Sequence, residues 1–267
     1  MKVKKNMEPV NDSVLPLVDE VPGCYYIWHT KAEFRHKMHT HNKGQLTYFQ
    51  GGSAFLHTND KSYFLPARHY VWVPPGMPHY LEQRDTAYSV RNLYFPALLL
   101  KKQPFFDKLG IYPASNLIYE LLLYTENWIG NIHKGAPGYD LLTAIKSLLP
   151  EVSKQPLPIA LPTTDNLKLR PVLRYLHENI SEKLSMPELA PQFGFSERSL
   201  YRLFRTEMDI SFLQYLKMLR VIKGIEMLLK ADQNISEIAF KTGYESISAF
   251  SNTFQQIVGM RPSEFKL

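Results

Sequence analysis

The spacing of apolar residues changes along the chain, and the first long stretch has the spacing of a sheet. Between residues 24 and 95, runs of aromatic and β-branched residues alternate with turn residues, as in an antiparallel barrel or sandwich. The predicted strands are CYYIWH (24–29), QLTYFQ (45–50), SAFLHT (53–58), YFLP (63–66), YVWVPP (70–75), HYLEQ (79–83) and YSVRNLYF (88–95). Gly51-Gly52 and Asn59-Asp60 lie where hairpin turns are expected.

Beyond Pro96 the apolar residues follow a helical period. The predicted helices are FFDKLGI (105–111), SNLIYELLLYTENWIG (115–130) and YDLLTAIKSLLPEV (139–152). They either pack only on the sheet or offer an apolar stripe to a second subunit, and the candidates for that stripe are Leu117, Leu121, Leu122 and Tyr124. Because an apolar helix face must be covered by something, we expect a homodimer.

Residues 153–166, SKQPLPIALPTTDN, hold three prolines and no helical period, which indicates a semi-extended linker. From Leu167 onward the pattern is helical almost to the end. The predicted fold class is therefore α+β and multidomain. A β-barrel with flanking helices would occupy residues 1–152, the linker residues 153–166, and an all-α domain residues 167–267.

The all-α domain contains a helix-turn-helix pattern. Ser185 and Glu188 form a capping-box pattern at the start of a short helix, which Gly194 can end in the left-handed conformation. Ser196 then caps a second helix, ERSLYRLFRTE. The apolar residues of this helix are spaced to face a core: Leu200, Leu203 and Phe204.

The same plan recurs 49 to 50 residues downstream. Asn234 caps a helix with Glu237 at its third position, Gly243 matches Gly194, and Ser246 caps ISAFSNTFQQIV. The apolar positions that match between the copies are Ala190 with Ala239, Leu200 with Phe250, and Phe204 with Phe254. A helical segment, SFLQYLKMLRVIKGIEMLLK (211–230), would hold the two copies at a fixed separation.

Each part of this pattern has a physical role in DNA recognition. A small alanine allows close helix packing, the glycine makes the sharp turn, and the capped N-terminus of the second helix favours phosphate. Two such helices on a rigid connector can enter successive major grooves roughly 34 Å apart. The doubled pattern therefore predicts binding to double-stranded promoter DNA.

The domain resembles the AraC/XylS family of transcription regulators. The residues that carry the resemblance run from Leu219-Arg220 through Gly224 to Ile238-Ala239, Gly243-Tyr244, Phe250, Phe254, Gly259 and Pro262. The resemblance implies seven helices with two helix-turn-helix units, control of transcription, and RNA polymerase as a further partner. Asn252 and Gln255 stand where the family often has basic residues, and Phe265-Lys266 replaces its usual final Tyr-Arg.

The two recognition helices differ in charge. The upstream helix carries three arginines, whereas the downstream one has no charged residue between Ser246 and Val258. We expect the upstream helix to supply most of the phosphate attraction and the downstream helix to read bases through amide and hydroxyl groups. The candidate DNA-binding residues are Arg198, Ser199, Tyr201, Arg202, Arg205, Ser248, Ser251, Asn252 and Gln255.

The strand region resembles the cupin superfamily of small β-barrels. Its two motifs are His39-Thr-His41-Asn-Lys-Gly-Gln45, followed by Gly51-Gly52, and Pro74-Pro75-Gly76-Met77-Pro78-His79. Cupins that bind metal use three histidines and an acid, and here Gln45 replaces the usual glutamate. His39 and His41 are two residues apart and share a strand face, so that His39, His41, Gln45 and His79 make a candidate divalent-metal site.

The same histidines can instead line a metal-free pocket for a small-molecule effector, and no cofactor is certain. An effector site needs an apolar wall with a few polar groups. The candidate ligand-binding residues are His39, His41, Gln45, His79, Tyr26, Trp28, Tyr48 and Trp72. A metal-dependent cupin enzyme and a ligand-independent regulator with a dimerising barrel are the alternatives. We do not expect the protein to be an enzyme, because an enzyme would not need a doubled helix-turn-helix.

Charge and cysteine content fit this interpretation. The chain of 267 residues has a net charge of +6, and residues 166–267 carry 14 basic against 11 acidic side chains. This balance favours an anionic partner without identifying it. Cys24 is the only cysteine, and no apolar run is long enough to cross a bilayer, so that we expect a cytoplasmic protein without a membrane partner.

Overall fold

The structure is a computed structural model that describes residues 14–30, 37–50, 53–83, 89–100, 103–154, 156–157, 159–164, 166–229 and 233–265. The chain forms two compact units. The first contains Met1–Thr58 with Leu65–Leu157, and the second contains Asn59–Phe64 with Pro158–Leu267. Within the described residues, no helix combines the length and the apolarity needed to cross a membrane.

The strands follow the predicted alternation closely. Their bounds are β1 Tyr25–Thr30, β2 Lys43–Gln50, β3 Ser53–His57, β4 Lys61–Pro66, β5 His69–Val73, β6 Tyr80–Gln83, β7 Ser89–Pro96, β8 Gly110–Pro113, β9 Gly130–Ile132 and β10 Ala160–Pro162. All seven strands that the sequence predicted are present. Asn59-Asp60 does lie between β3 and β4, whereas Gly51-Gly52 falls outside the described residues.

The strands form two antiparallel sheets. The larger has the order β8–β5–β2–β7–β1–β9, and the smaller has the order β10–β4–β3–β6. At the centre of the larger sheet, Gln45 pairs with Tyr94 on β7 and with Val73 on β5. An isolated antiparallel bridge joins His39, four residues before β2, to His79, directly before β6. These pairings bring both histidine motifs toward the start of β2.

The larger sheet has an apolar face covered by two helices, α2 (Asn116–Tyr124) and α3 (Tyr139–Val152). Ile118 and Leu122 of α2 and Ile145 of α3 are fully buried in this core. The sheet residues packed there are Tyr25, Ile27, Leu46, Tyr48, Tyr70, Trp72, Leu93 and Phe95. A short helix, α1 (Leu15–Glu20), contributes Val18 to a separate cluster with Tyr26 and Tyr94.

Two of the predicted helices are wrong in part. Residues 105–111 form a 3₁₀ turn at Pro104–Asp107 and then enter β8, because pairing with β5 overrides the local apolar spacing. The helix predicted over 115–130 ends at Tyr124, and its last residues enter β9. The helix predicted over 139–152 has those bounds in the structure.

The predicted linker contains ordered structure. Ala160–Pro162 forms β10, in which Ala160 pairs with Tyr63 of β4. Ile159 and Leu161 are buried on alternate positions, and the amide of Phe64 donates to the carbonyl of Ile159 at 3.2 Å. The prolines are compatible with this strand because it lies at the edge of its sheet. Part of the predicted linker is therefore an extended strand paired with β4, and the linker bounds of 153–166 remain a prediction.

From Arg170 to Phe265 the described residues of the second unit are helical, as the sequence predicted. Its helices are α4 (Arg170–Glu178), α5 (Met186–Gln192), α6 (Glu197–Met208), α7 (Phe212–Leu228), α8 (Ile235–Lys241), α9 (Ile247–Val258) and α10 (Pro262–Phe265). Three predicted caps are present: Ser196, Asn234 and Ser246 each accept a bond from the backbone amide three residues later. Ser185 instead donates its hydroxyl to the Glu188 carboxylate at 2.7 Å and accepts no capping bond.

Candidate functional site

The two helix-turn-helix units, α5–α6 and α8–α9, share one local design. In the first, the Phe195 amide donates to the Ala190 carbonyl at 2.8 Å across a turn with Gly194 at a φ of 74°. In the second, the Tyr244 amide donates to the Ala239 carbonyl at 3.0 Å across a turn with Gly243 at a φ of 82°. Such positive φ values favour glycine, which explains the residue type at both turns.

Buried residues set the orientation of each recognition helix. Leu200, Phe204 and Met208 are buried along α6, and Phe250, Phe254 and Val258 are buried along α9. Of the predicted core residues, Leu203 is only half-buried. The connector α7 approaches α9 closely at Gly224, where an added Cβ would lie 2.8 Å from the Phe250 ring. The sequence therefore fixes which face of each helix remains outside.

The outer face of α6 is basic. Arg198, Tyr201, Arg202 and Arg205 are exposed, and the Arg205 guanidinium lies 5.9 Å from the centre of the Tyr201 ring. Ser199 is half-buried, and its hydroxyl donates to the Ser196 carbonyl at 2.8 Å. Its proton is thereby used within the first turn of the helix, so that Ser199 fits a structural role better than a contact with a base.

The outer face of α9 is neutral. Ser248, Asn252 and Gln255 are exposed, and Ser251 is half-buried. Ile247 is 45% exposed at the first turn, where the sequence pattern singled out no apolar contact. An apolar side chain at this position can pack against a thymine methyl group.

Arg220 of α7 links the turn of the second helix-turn-helix unit to a loop of the same domain. The sequence analysis assigned it no such role. Its guanidinium donates to the carbonyls of Ile180, at 3.2 Å, and Glu182, at 2.8 Å. It also lies 5.6 Å from the centre of the Tyr244 ring. Burial lowers the pKa of this guanidinium. Arg220 therefore holds the turn in place through contacts within its own domain, and it is not a candidate for DNA contact.

In the N-terminal compact unit, the three histidines of the cupin-like motifs do come together. Their candidate ligand nitrogens all lie within 4.8 Å of one another. Nε2 of His41 and Nε2 of His79 lie 2.8 and 2.9 Å from Oε1 of Gln45. Desolvation by burial lowers the pKa of His41, although its contact with Gln45 acts in the opposite direction.

Proton positions in this cluster follow from the other ring nitrogens. Nδ1 of His39 lies 2.8 Å from the Lys37 carbonyl, Nδ1 of His41 2.7 Å from the Lys43 carbonyl, and Nδ1 of His79 2.8 Å from the Met77 carbonyl. A carbonyl oxygen only accepts, so each Nδ1 carries a proton that it donates. In a neutral ring, Nε2 then presents a lone pair.

The lone pairs of His41 and His79 therefore face another acceptor, Oε1 of Gln45. Its orientation follows from the amide nitrogen, which donates to Thr47 at 2.9 Å and to Asn92 at 3.1 Å. Contacts this short require a ring that is also protonated at Nε2, a rotated Gln45 amide that donates to both rings, or a bound cation. Three imidazoles and an amide oxygen form a suitable donor set for zinc or another divalent transition ion.

The predicted aromatic ligand residues lie on two different faces of the sheet. Tyr26 and Trp28 lie on the face of the histidine cluster, where the His41 ring is 5.2 Å from the Tyr94 ring and Tyr26 packs on Tyr94. Tyr48 and Trp72 pack instead in the core under α2 and α3, and the Trp72 indole donates to the Phe106 carbonyl at 3.1 Å. Their placement in a shared pocket with His41 is wrong, because successive strand residues point to opposite faces.

A separate pocket near this face was not predicted from the sequence. It has a volume of about 170 Å³ and is lined by Asp19, Pro22, Asn42, Lys43, Ala97 and Leu98. Lys43 is 1% exposed, and burial lowers the pKa of its ammonium group. The helix that carries Asp19 lies outside the segments that the apolar pattern identified, so the pattern contains no signal for this site.

Comparison with known proteins identifies both parts. A family model described as an AraC-like ligand binding domain matches residues 21–103, and one described as a helix-turn-helix domain matches residues 189–267. The transcriptional regulator NimR of Escherichia coli is 26% identical over 233 residues, which cover 87% of this chain and 83% of NimR. The transcriptional activator RhaS of Salmonella schwarzengrund is 28% identical over 104 residues, 39% of this chain and 37% of RhaS.

Among solved structures, ToxT of Vibrio cholerae is 13% identical, with a TM-score of 0.38 over 90% of this chain and 96% of that chain. The named relatives are transcriptional regulators and not enzymes. The matched segments correspond to the sheet-rich unit and to the doubled helix-turn-helix described above. The chain belongs to the AraC/XylS family of transcription regulators, with an N-terminal ligand-binding domain and a C-terminal DNA-binding domain.

Proposed function

We propose that the chain is a one-component regulator whose two helix-turn-helix units enter successive major grooves of promoter DNA. The observation that carries this proposal is the repetition of cap, glycine turn and outward helix in one compact unit. The connector α7 has 17 residues and spans about 25 Å at 1.5 Å per residue. A rigid helix of this length supports engagement of two neighbouring grooves rather than one.

The recognition faces support a division of labour between the two units. On α6, Arg198, Arg202 and Arg205 are assigned to phosphates or guanine edges, and Tyr201 to the DNA backbone or a thymine methyl group. On α9, Asn252 and Gln255 suit adenine, which they can contact through two hydrogen bonds. Ser248 and Ser251 are assigned to hydroxyl contacts with bases or phosphates.

Binding-site selection from random duplexes, followed by footprinting of the selected DNA, tests this function. We expect the full chain to protect two contacted segments whose centres lie roughly 34 Å, or one helical turn, apart on one face of the duplex. A dimer would protect two such pairs. Random duplexes that show no enrichment, or a single contacted segment per chain, would contradict the proposal.

The proposal extends to partners. Leu117 and Tyr124 on α2 are 51% and 71% exposed, which supports their assignment to a dimer interface, whereas Leu122 is buried in the subunit core and is removed from that stripe. RNA polymerase is assigned as the partner through which bound regulator alters transcription. Since DNA is the main partner, the cytoplasm is the assigned location.

The effector is assigned to the face of the larger sheet that carries Tyr26, Trp28 and the histidine cluster. This face combines aromatic surface with convergent polar groups, which is the composition of a small-molecule site. Binding would alter DNA recognition only through a difference in effector affinity between two states of the protein. Tyr48 and Trp72 have no part in this assignment, because they lie in the opposite core.

We also assign a divalent transition metal to His39, His41, Gln45 and His79. A bound ion would supply a structural clamp that joins the turn before β2 to the segment before β6, and the histidines would hold it through Nε2. The supporting observations are the convergence of the three candidate ligand nitrogens within 4.8 Å of one another and the contacts of Nδ1 with backbone carbonyls, which orient the rings.

Elemental analysis of protein purified without a histidine tag is expected to find about one metal ion per chain, and chelation is expected to lower its melting temperature. Gln45→Glu is the matched variant, because a carboxylate adds a negative charge at the same length and should tighten binding. Loading both proteins with Zn²⁺ gives the second readout. If neither protein retains stoichiometric metal, the assignment of a metal to this cluster fails.

A further inference from the structure

The pocket lined by Asp19, Pro22, Asn42, Lys43, Ala97 and Leu98 holds an unusual pair of charged groups. It lies at the end of the larger sheet, where β2 begins at Lys43 and β7 ends at Pro96, opposite Lys43 in the strand register. The helix α1 supplies Asp19, and the 3₁₀ turn Ala97–Leu99 supplies the apolar wall.

Within the described part of the chain, Lys43 is buried without a hydrogen-bond partner. The residue is 1% exposed, and none of the described residues offers its Nζ a hydrogen-bond acceptor. The recorded contact of this ammonium is the face of the Tyr26 ring, whose centre is 5.8 Å away. Taking an ammonium out of water without a partner carries a large desolvation cost, which an aromatic ring offsets only in part.

Asp19 has a partner for one carboxylate oxygen and none for the other. Its Oδ2 accepts from the backbone N–H of Asn42 at 2.7 Å, whereas its buried Oδ1 has no donor among the described residues. Because Nζ of Lys43 has no hydrogen-bond partner among the described residues, the two charged groups do not hydrogen-bond to each other. The pocket thus offers one unused cation and one unused acceptor of opposite charge.

We propose that this pocket binds a small zwitterion of the amino-acid type, whose carboxylate pairs with Lys43 and whose ammonium group pairs with Asp19. The inference rests on the proposed function of the first unit as an effector sensor and names the chemical class of the effector. A simple anion would compensate Lys43 but would lie beside the Asp19 carboxylate. A polyol would supply hydrogen bonds but no charge for the buried ammonium.

Size and polarity of the pocket restrict the rest of the ligand. A volume of about 170 Å³ suits a small molecule, and Pro22, Ala97 and Leu98 offer apolar surface to a short aliphatic side chain. A neutral ligand with two opposite charges also leaves the net charge of the pocket unchanged.

Calorimetry and thermal shift on the full-length chain test this inference with matched probes. The zwitterions are alanine, proline and valine, and the one-charge analogues are propionate and ethylamine, with glycerol as the polyol. We expect at least one zwitterion to raise the melting temperature and to bind at least tenfold more tightly than every analogue. Lys43→Met and Asp19→Asn should each weaken that binding at least tenfold, whereas Lys108→Met, at an exposed lysine, should leave it unchanged.

Lys43→Met has a second expected effect in the absence of ligand. Removing a buried charge that has no hydrogen-bond acceptor among the described residues, while retaining the aliphatic stem, should raise the melting temperature of the free protein. A lower melting temperature for this variant would mean that Lys43 is already compensated, which would overturn the inference.

The inference and the proposed function can fail separately. If a molecule without the two charges binds the first unit and the Lys43 and Asp19 variants bind it normally, the zwitterion site is wrong and the sensor function stands. If no molecule from a screen of amino acids, acids, amines and sugars binds the full chain, both the site and the sensor function are wrong.

Discussion

Gly243→Ala is expected to destabilise the C-terminal unit by about 3 kcal/mol, up to roughly 5 kcal/mol, and to abolish specific DNA binding. A side chain in the left-handed region costs about 1–2 kcal/mol, and Gly243 has a φ of 82°. In addition, the new Cβ would lie 2.6 Å from the Ile180 carbonyl oxygen and 2.5 Å from Nη2 of Arg220. Arg220 can rotate away, but the Ile180 carbonyl belongs to the backbone and can move only with its loop.

Moving Arg220 has a further cost. Its guanidinium donates to the carbonyls of Ile180 and Glu182 and lies over the Tyr244 ring. Displacement would leave these contacts unmade and release the turn that orients α9. The loss of DNA binding then follows from a changed angle between α8 and α9, not from a missing contact to a base.

Gly194→Ala is the matched control. Gly194 occupies the equivalent turn of the first helix-turn-helix unit at a φ of 74°, but an added Cβ there would meet nothing within 4 Å. We expect it to cost only the conformational term of about 1–2 kcal/mol. Urea unfolding followed by circular dichroism at 222 nm, together with duplex-binding titrations, measures both variants. Equal losses of stability for the two variants would show that the close approach at Gly243 has no energetic weight.

The pair of glycines illustrates how far sequence patterns reach. The turns were predictable, because a glycine between two capped helices has few other uses. The different environments of Gly194 and Gly243 were not predictable, because the atoms that surround Gly243 come from Ile180 and Arg220, which are distant in sequence. Local conformation is encoded locally, whereas packing depends on pairs of segments.

In the larger sheet too, the local pattern predicts the strands but not their surroundings. Alternation predicts the seven strands but does not separate Tyr48 and Trp72 from Tyr26 and Trp28, because β2 and β5 are buried on both faces. When both faces are buried, a strand is apolar throughout and its pattern does not distinguish them. The strand β8 was interpreted as helix, since its pairing partner β5 lies about forty residues away and local spacing carries no trace of it.

Replacing Arg198, Arg202 and Arg205 together by alanine is expected to weaken DNA binding on the order of a hundredfold at 0.15 M salt, for selected and random duplexes alike wherever the arginines contact phosphates. Each phosphate contact contributes about 0.9 to the slope of log affinity against log salt, so loss of three contacts lowers that slope by up to about 2.7. The three side chains are exposed on α6, and alanine is a good helix former, so that the fold should persist. Binding titrations between 50 and 200 mM salt would measure the change, with Arg202→Ala alone expected to lower the slope by about one.

The matched comparison is the triple alanine variant of Ser248, Asn252 and Gln255 on α9. These side chains are uncharged, so their loss should leave the salt slope unchanged while it reduces the preference for the selected sequence over random DNA. Each lost two-bond contact with adenine should cost about 1–3 kcal/mol of discrimination. Arg174→Ala, at an exposed arginine of α4, serves as the control for loss of charge outside the recognition helices. If the arginine variant keeps its salt slope, or the α9 variant lowers it, the upstream helix does not supply the phosphate attraction and the division of labour between the two units is wrong.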